Sequence, residues 1–97
     1  LSGGDPFYNQ QALLEILIYL KEHLSPNKNI WCYTGYTYEE LMENYKQYLL
    51  EEIDVLIDGK FDESLKDLTL KLRGSSNQRI IDTKQSISKG EIILYDN

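Results

Sequence analysis

Two short apolar runs, Ile30-Trp31-Cys32-Tyr33-Thr34 and Ile53 to Ile57, each follow a stretch whose apolar residues recur at helical spacing. Leu13, Leu17, Leu20 and Leu24 mark the first stretch, Asn9 to Leu24, and Leu14, Ile16 and Ile18 broaden its stripe into one wide buried face. Lys21 and His23 stand in the last turn, where the carbonyl end favours positive or donor groups, and Ser25-Pro26-Asn27 ends it. The second stretch opens at Thr37, three residues before Glu40. At that spacing a threonine oxygen and a glutamate carboxylate each satisfy a free backbone donor. Leu41, Tyr45, Tyr48 and Leu49 continue the pattern, which predicts a helix from about Tyr38 to Glu51. Strands that alternate with helices pair in parallel through crossovers, and strands covered on both faces read as continuous apolar runs. The chain is therefore expected to be α/β, with mostly parallel strands.

After Phe61 the pattern weakens. Leu68, Leu70 and Leu72 alternate as in a half-buried strand, and an irregular loop pinned by three leucines fits as well. Arg73 to Arg79, RGSSNQR, has loop chemistry. Ile80-Ile81 suits a short strand and Gly90 introduces a last one, Glu91 to Tyr95, so at least four strands are expected. No repeat or low-complexity stretch divides the 97 residues, which are read as one domain, 1–97. Hydrophobic residues make up 41%, enough for a core. The net charge of −6, with Lys and Arg dispersed, argues against nucleic acid as a partner. The longest apolar run, Ile16 to Leu20, is far short of the about 20 residues that span a bilayer, and nothing resembles a signal peptide. A soluble protein without a membrane partner is expected. The single cysteine, Cys32, excludes an internal disulfide and a multi-cysteine metal site within these residues, consistent with a cytoplasmic origin.

Parallel α/β proteins bind ligands at the carboxyl ends of their strands, where loops meet helix N-termini. Three loops fall at such positions: Gly3-Gly4-Asp5-Pro6, Thr34-Gly35-Tyr36 and Asp58-Gly59-Lys60. In a parallel sheet they share one rim. Two glycines let a backbone approach a ligand, and the Asp5 carboxylate can accept from an ammonium group or simply cap the helix that follows. Asp58 and Lys60 flank a glycine and can both point into the rim, or form an exposed ion pair. Tyr36 can pack on a ligand ring or in the core. In RGSSNQR, glycine, serine and Asn77 can aim amides at an anion beside Arg73 and Arg79, or the loop can hold itself together with its own polar side chains. His23 is a lone histidine and Cys32 sits in an apolar strand, so neither is expected to act as base or nucleophile.

Taken together, LSGGDPF, WCYTGYTYEEL, IDVLIDGKFD, KDLTLKLRGSSNQRIID and GEIILYD resemble the activating proteins of anaerobic ribonucleoside-triphosphate reductases, a family of small radical S-adenosylmethionine enzymes. The resemblance implies a partial (β/α) barrel. It implies a 4Fe-4S cluster held by cysteines spaced C-x3-C-x2-C upstream of the glycine-glycine-acid turn, with the amino and carboxylate groups of S-adenosylmethionine on its open iron. In the family, an electron from the cluster cleaves the sulfonium to methionine and a 5′-deoxyadenosyl radical, which takes hydrogen from a glycine of the large reductase subunit. Gly3, Gly4 and Asp5 match the turn that holds the methionyl amino group, with Asp where many relatives have Glu. Thr34 and Gly35 match a strand end of the same site. Asp58 and Lys60 resemble the D-x-K pair of glycyl-radical activases, near the cofactor and the substrate glycine. Arg73, Asn77 and Arg79 are candidates for docking against the reductase subunit.

The sequence departs from the family in one large respect: the cysteine triplet is absent. The abrupt opening at Leu1-Ser2-Gly3 fits the same expectation, that the chain is the carboxy-terminal part of such a protein, a truncated barrel unable to perform the reaction alone. No tightly bound cofactor is then expected, and the exposed sheet edge favours self-association. The alternative is a non-catalytic module that docks on the reductase or binds a small molecule. A generic nucleotide-binding domain lacks its glycine-rich phosphate loop here.

Overall fold

The computed structural model describes residues 5–23, 29–44, 46–70 and 73–95. A short 3-10 turn, Pro6–Tyr8, leads into α1 (Gln10–His23); β1 (Trp31–Tyr33), α2 (Tyr38–Glu43), α3 (Gln47–Leu50) and β2 (Val55–Asp58) follow. A second 3-10 turn, Glu63–Leu65, precedes β3 (Arg79–Asp82) and α4 (Thr83–Lys89). The strands form one sheet in the order β1-β2-β3.

The central strand explains the architecture. All four residues of β2 are buried, so the sheet is covered on both faces there, as its unbroken apolar run requires. β1 pairs with it in parallel, Cys32 opposite Leu56, through the crossover made by α2 and α3. Leu13 and Leu17 of α1, Leu41 of α2, and Leu49 and Leu50 of α3 pack around Leu56 as one core. The Thr37–Glu40 capping box forms as expected: Thr37 accepts from Glu40 N at 3.1 Å, and Glu40 accepts from Thr37 N at 3.0 Å.

Several expectations need correction. Ile16 and Ile18 are 41% and 47% exposed, so the buried stripe of α1 is narrow, carried by Leu13 and Leu17. The helix expected over 38–51 is two helices. The Asn44 side chain donates to Glu40 O at 2.8 Å, and Asn44 and Lys46 leave helical dihedrals. An asparagine that binds the backbone in this way ends a helix. No strand forms at 66–70, so the half-buried strand is not the outcome; the stretch is irregular, with Leu68 89% exposed and therefore not one of its anchors. Leu24, Ser25-Pro26-Asn27, Tyr45 and Leu72 lie outside the described residues.

The largest correction concerns β3, which runs antiparallel to β2. Among the described residues of 59–78 there is no crossover helix. They fold back on themselves, with Ser76 N donating to Leu65 O at 3.1 Å and Gln78 Nε2 donating to Gly59 O at 3.0 Å. The chain thus re-enters the sheet at the end it left, and only an antiparallel strand can follow. Three strands are present among the described residues, and the segment expected as a fourth contributes one isolated bridge, Ile81 to Leu94. Gly90 closes α4 with φ of 69° and does not open a strand. That helix was missed, although Asp82, three residues before Gln85, caps it with a 3.0 Å bond to Gln85 N.

Candidate functional site

Three loops meet at the carboxyl end of the parallel pair. Asp5 caps the first 3-10 turn by accepting from Phe7 N at 3.0 Å. The same carboxylate accepts from Thr34 Oγ1 at 2.9 Å and from Gly35 N at 2.7 Å. Capping and loop-bridging are therefore both true of Asp5. The Gly59 loop joins in turn, with Gly59 N donating to Tyr36 O at 2.9 Å. These bonds enclose an opening of about 310 Å³ lined by Asp5, Thr34, Gly35, Gly59 and Lys60, with Tyr33, Phe61 and Gln78 completing the wall. A Cβ on Gly35 would stand 3.4 Å from Asp5 Oδ2, so the bare backbone there lets the carboxylate come close. Gly3 and Gly4 lie outside the described residues.

The chemistry of the opening is zwitterionic. Phe7 N donates to Asp5 Oδ1 and Gly35 N to Oδ2, with the Thr34 hydroxyl shared between the two at 2.9 and 3.0 Å, so among the described residues three donor hydrogens serve the about four acceptor positions of the carboxylate. Lys60, exposed beside it, has no ion-pair partner among the described residues. One acceptor and one cation thus face the same space.

Asp58 does not join them, which corrects the expectation that Asp58 and Lys60 point into one rim. Gly59, with φ of 96°, turns the chain between them and breaks the strand alternation. Asp58 stays in the ladder directly opposite Arg79 and is completely buried. Its Oδ1 accepts from Arg79 Nε at 3.0 Å, and its Oδ2 from Arg79 Nη2 and, at 2.7 Å, from Tyr38 N. Arg79 also grips Glu39, through Nη2 to Oε1 at 2.6 Å. Asp58 first, and Glu39 second, hold the guanidinium proton more tightly than usual. Arg79 in turn holds Glu39 below the ordinary carboxylate range, while burial, and then Glu39, push the Tyr38 phenol up. No Asp58–Lys60 ion pair occurs.

The RGSSNQR loop is held by its own polar groups. Gln78 Oε1 accepts from Gly74 N at 2.8 Å and Ser75 N at 3.2 Å, so those amides are occupied and do not form an anion nest. Arg73 Nη1 donates to Gln78 O at 2.7 Å and Asn77 Nδ2 to Lys60 O at 2.8 Å. Arg79, a docking candidate by sequence, is bound within the fold. A Cβ on Gly74 would meet the Phe61 ring at 2.9 Å, so this glycine allows the loop to lie on Phe61. Phe61 was not among the residues expected at the rim, although it directly follows Lys60; Gln78, within RGSSNQR, and Glu39 gain their contacts only through the antiparallel return of β3.

Cys32 is buried, and desolvation pushes its thiol up to about 12. His23 is exposed at the end of α1, with Nδ1 2.8 Å from Tyr19 O and its ring stacked on Tyr19. Cys32 is thus the buried free thiol expected from its apolar strand. Among the described residues no three His, Cys, Asp or Glu side chains stand together to hold a metal ion, and a lone protonated thiol does not fit a cluster that needs three thiolates. Among these residues no helix is long and apolar enough to cross a membrane.

Comparison with known proteins adds a family. The chain is 48% identical over 82 residues to the anaerobic ribonucleoside-triphosphate reductase-activating protein of Vibrio cholerae, covering 82% of this chain and 52% of that protein. The proteins of the same name from Pasteurella multocida and Haemophilus influenzae are 43% and 45% identical over 82 residues, with the same coverage. The chain spans about half the length of the curated relatives it matches. No solved structure matches it. The profile of the 4Fe-4S single cluster domain matches residues 1–81, most of the chain, and the chain belongs to that family.

Proposed function

We propose that this chain acts in the activation of an anaerobic ribonucleoside-triphosphate reductase, and that its part is to hold S-adenosylmethionine at the rim formed by Asp5, Thr34-Gly35 and Gly59-Lys60. The observation that carries the reading is the pairing of Asp5 and Lys60 across one opening at the carboxyl end of β1 and β2. The methionyl end of S-adenosylmethionine is a zwitterion. Its ammonium suits the remaining acceptor position of Asp5, and its carboxylate suits the Lys60 ammonium. Exposed Gly35 lets a ligand approach the backbone, and the half-exposed rings of Tyr33 and Phe61 line the opening beside the proposed nucleoside position. Gly3 and Gly4 belong to the same proposed site. Asp58 serves it from behind, by fixing the strand end from which Gly59 and Lys60 project.

Asp5 and Lys60 would hold S-adenosylmethionine by its methionyl end, and the cofactor would supply a sulfonium whose one-electron reduction yields methionine and a 5′-deoxyadenosyl radical. The 97 residues do not fit the 4Fe-4S cluster that drives this cleavage, having one buried cysteine, so the electron step is not assigned to them. That mismatch favours a second reading, a binding module without chemistry of its own. The parallel β1–β2 pair supports placing the sheet within a partial (β/α) barrel, in a cytoplasmic protein whose partner is the large reductase subunit. Arg73 and Asn77, on the loop that ends at the rim, are the proposed contacts with that subunit. Unchanged complex formation on Arg73→Ala would remove Arg73 from the set. The β1 edge is where a second copy would pair, and a light-scattering mass independent of concentration would exclude it.

Calorimetric titration of the chain with S-adenosylmethionine tests the site. Weak binding is expected, about tenfold weaker again in Lys60→Ala, because one charge contact is lost. Equal affinity in both proteins, or tight binding by the chain alone, would contradict this account.

A further inference from the structure

A second opening, of about 410 Å³, lies between α2 and α4, outside the rim just described. Its floor is apolar: Met42, Ile87 and Ile92 are half-buried against the core, and Tyr38 is nearly covered. The Ser86 hydroxyl beside them accepts from Ile93 N at 2.8 Å and donates to Asp82 O at 2.7 Å. A Cβ on Gly90 would meet nothing within 4 Å, so the groove is open to solvent at that end.

Three carboxylates edge this floor, Glu39, Glu43 and Glu91, and among the described residues no lysine or arginine does. Arg79 compensates Glu39. Neither Glu43 nor Glu91 has an ion-pair or hydrogen-bond partner among the described residues. An apolar floor with two uncompensated acids at its edge selects a segment that carries an apolar anchor flanked by Lys or Arg. The volume falls within the range of formed binding sites, about 300–1,000 Å³.

The groove is joined to the rim by a chain of contacts. Glu39 lines the groove and binds Arg79; Arg79 binds Asp58; Asp58 precedes Gly59 and Lys60 of the rim. Glu39 thus belongs both to the edge of the groove and to the buried contacts that fix the rim. We infer that this groove seats a basic, apolar-anchored segment of the large reductase subunit. The inference rests on the reductase partnership proposed above.

The test is affinity for the cognate large subunit by surface plasmon resonance, comparing wild type with Glu43→Lys/Glu91→Lys. The control is Glu15→Lys/Glu22→Lys on the exposed side of α1, which changes the net charge equally. Thermal melts establish that each variant is folded. The groove variant is expected to bind about tenfold weaker or worse, and the control to stay within about twofold of wild type. Equal loss in both variants would mean that only overall charge matters, and unchanged binding by a folded groove variant would overturn the inference while leaving the partnership intact. Loss of self-association with reductase binding retained would assign the groove to a second copy instead. No binding by wild type would overturn the partnership itself, and the assigned occupant with it.

Discussion

Asp58 and Arg79 face each other across the antiparallel β2–β3 pair, and their two-pronged contact joins the end of β2 to α2 through Tyr38 N and Glu39. The carboxylate is completely buried while the guanidinium is partly open to solvent. Arg79 therefore fixes the strand end that carries Gly59 and Lys60 without itself entering the rim.

Removing Arg79 leaves the Asp58 carboxylate buried and unpaired. Breaking a buried pair on one side costs about 3–5 kcal/mol, and the partial exposure of Arg79 places Arg79→Met near the lower figure. Urea unfolding of wild type and variant at neutral pH measures the difference. A loss under about 1 kcal/mol would show that the pair is much less isolated from water than its geometry indicates.

Arg79 lowers the pKa of Glu39 in the folded chain below its ordinary 4.5. The folded state thus holds the Glu39 proton less tightly than the unfolded state. The contribution of Glu39 to stability is fully present above about pH 4.5 and is lost as pH falls through the lower folded value. The stability difference between wild type and Glu39→Gln should shrink on acidification in that window. A difference that stays constant down to about pH 3 would contradict the pairing.

Gly59 adopts φ of 96°, a conformation that L side chains rarely take, and a Cβ there would stand 3.5 Å from Asn77 O. Gly59→Ala is expected to cost about 1–3 kcal/mol through backbone strain. Gly90→Ala, also at positive φ but in open space, serves as a comparison. If Gly59→Ala proves as stable as wild type, the turn that separates Asp58 from Lys60 is not the one described.

Cys32 should resist alkylation by iodoacetamide at mildly alkaline pH in the folded chain and react once urea unfolds it. Its thiol is buried, with a pKa pushed up from 9.0 to about 12. The unfolded thiol ionises first as pH rises, so this group's contribution is intact below pH 9 and is lost between about 9 and 12. Rapid labelling of the native protein would place Cys32 at the surface.

The first half of the fold was legible because its signals are local. Leu13 and Leu17 mark α1, Thr37 and Glu40 cap α2, and an unbroken apolar run marks a strand covered on both faces. Beyond Gly59 the outcome depends on where the chain travels, which no periodicity records. The return of residues 59–78 to the rim makes β3 antiparallel and brings Arg79 onto Asp58. Both residues were candidates for ligand or partner, and side-chain type alone could not reveal that each is occupied by the other. The convergence of Asp5, Thr34, Gly35 and Lys60 was readable because strand-end loops of a parallel pair must share a rim. The groove between α2 and α4 was not, since α4 hides behind the polar run Thr83 to Lys89.

Chemical-shift mapping of the ¹⁵N-labelled chain during titration with S-adenosylmethionine tests the central claim most directly, because it locates even weak binding residue by residue. The account predicts shifts concentrated at the amides of Gly35, Gly59, Lys60 and Phe61, needing about tenfold more ligand in Lys60→Ala and absent from Met42, Ile87 and Glu91. Shifts centred on the groove between α2 and α4, or no shifts at millimolar ligand, would contradict it.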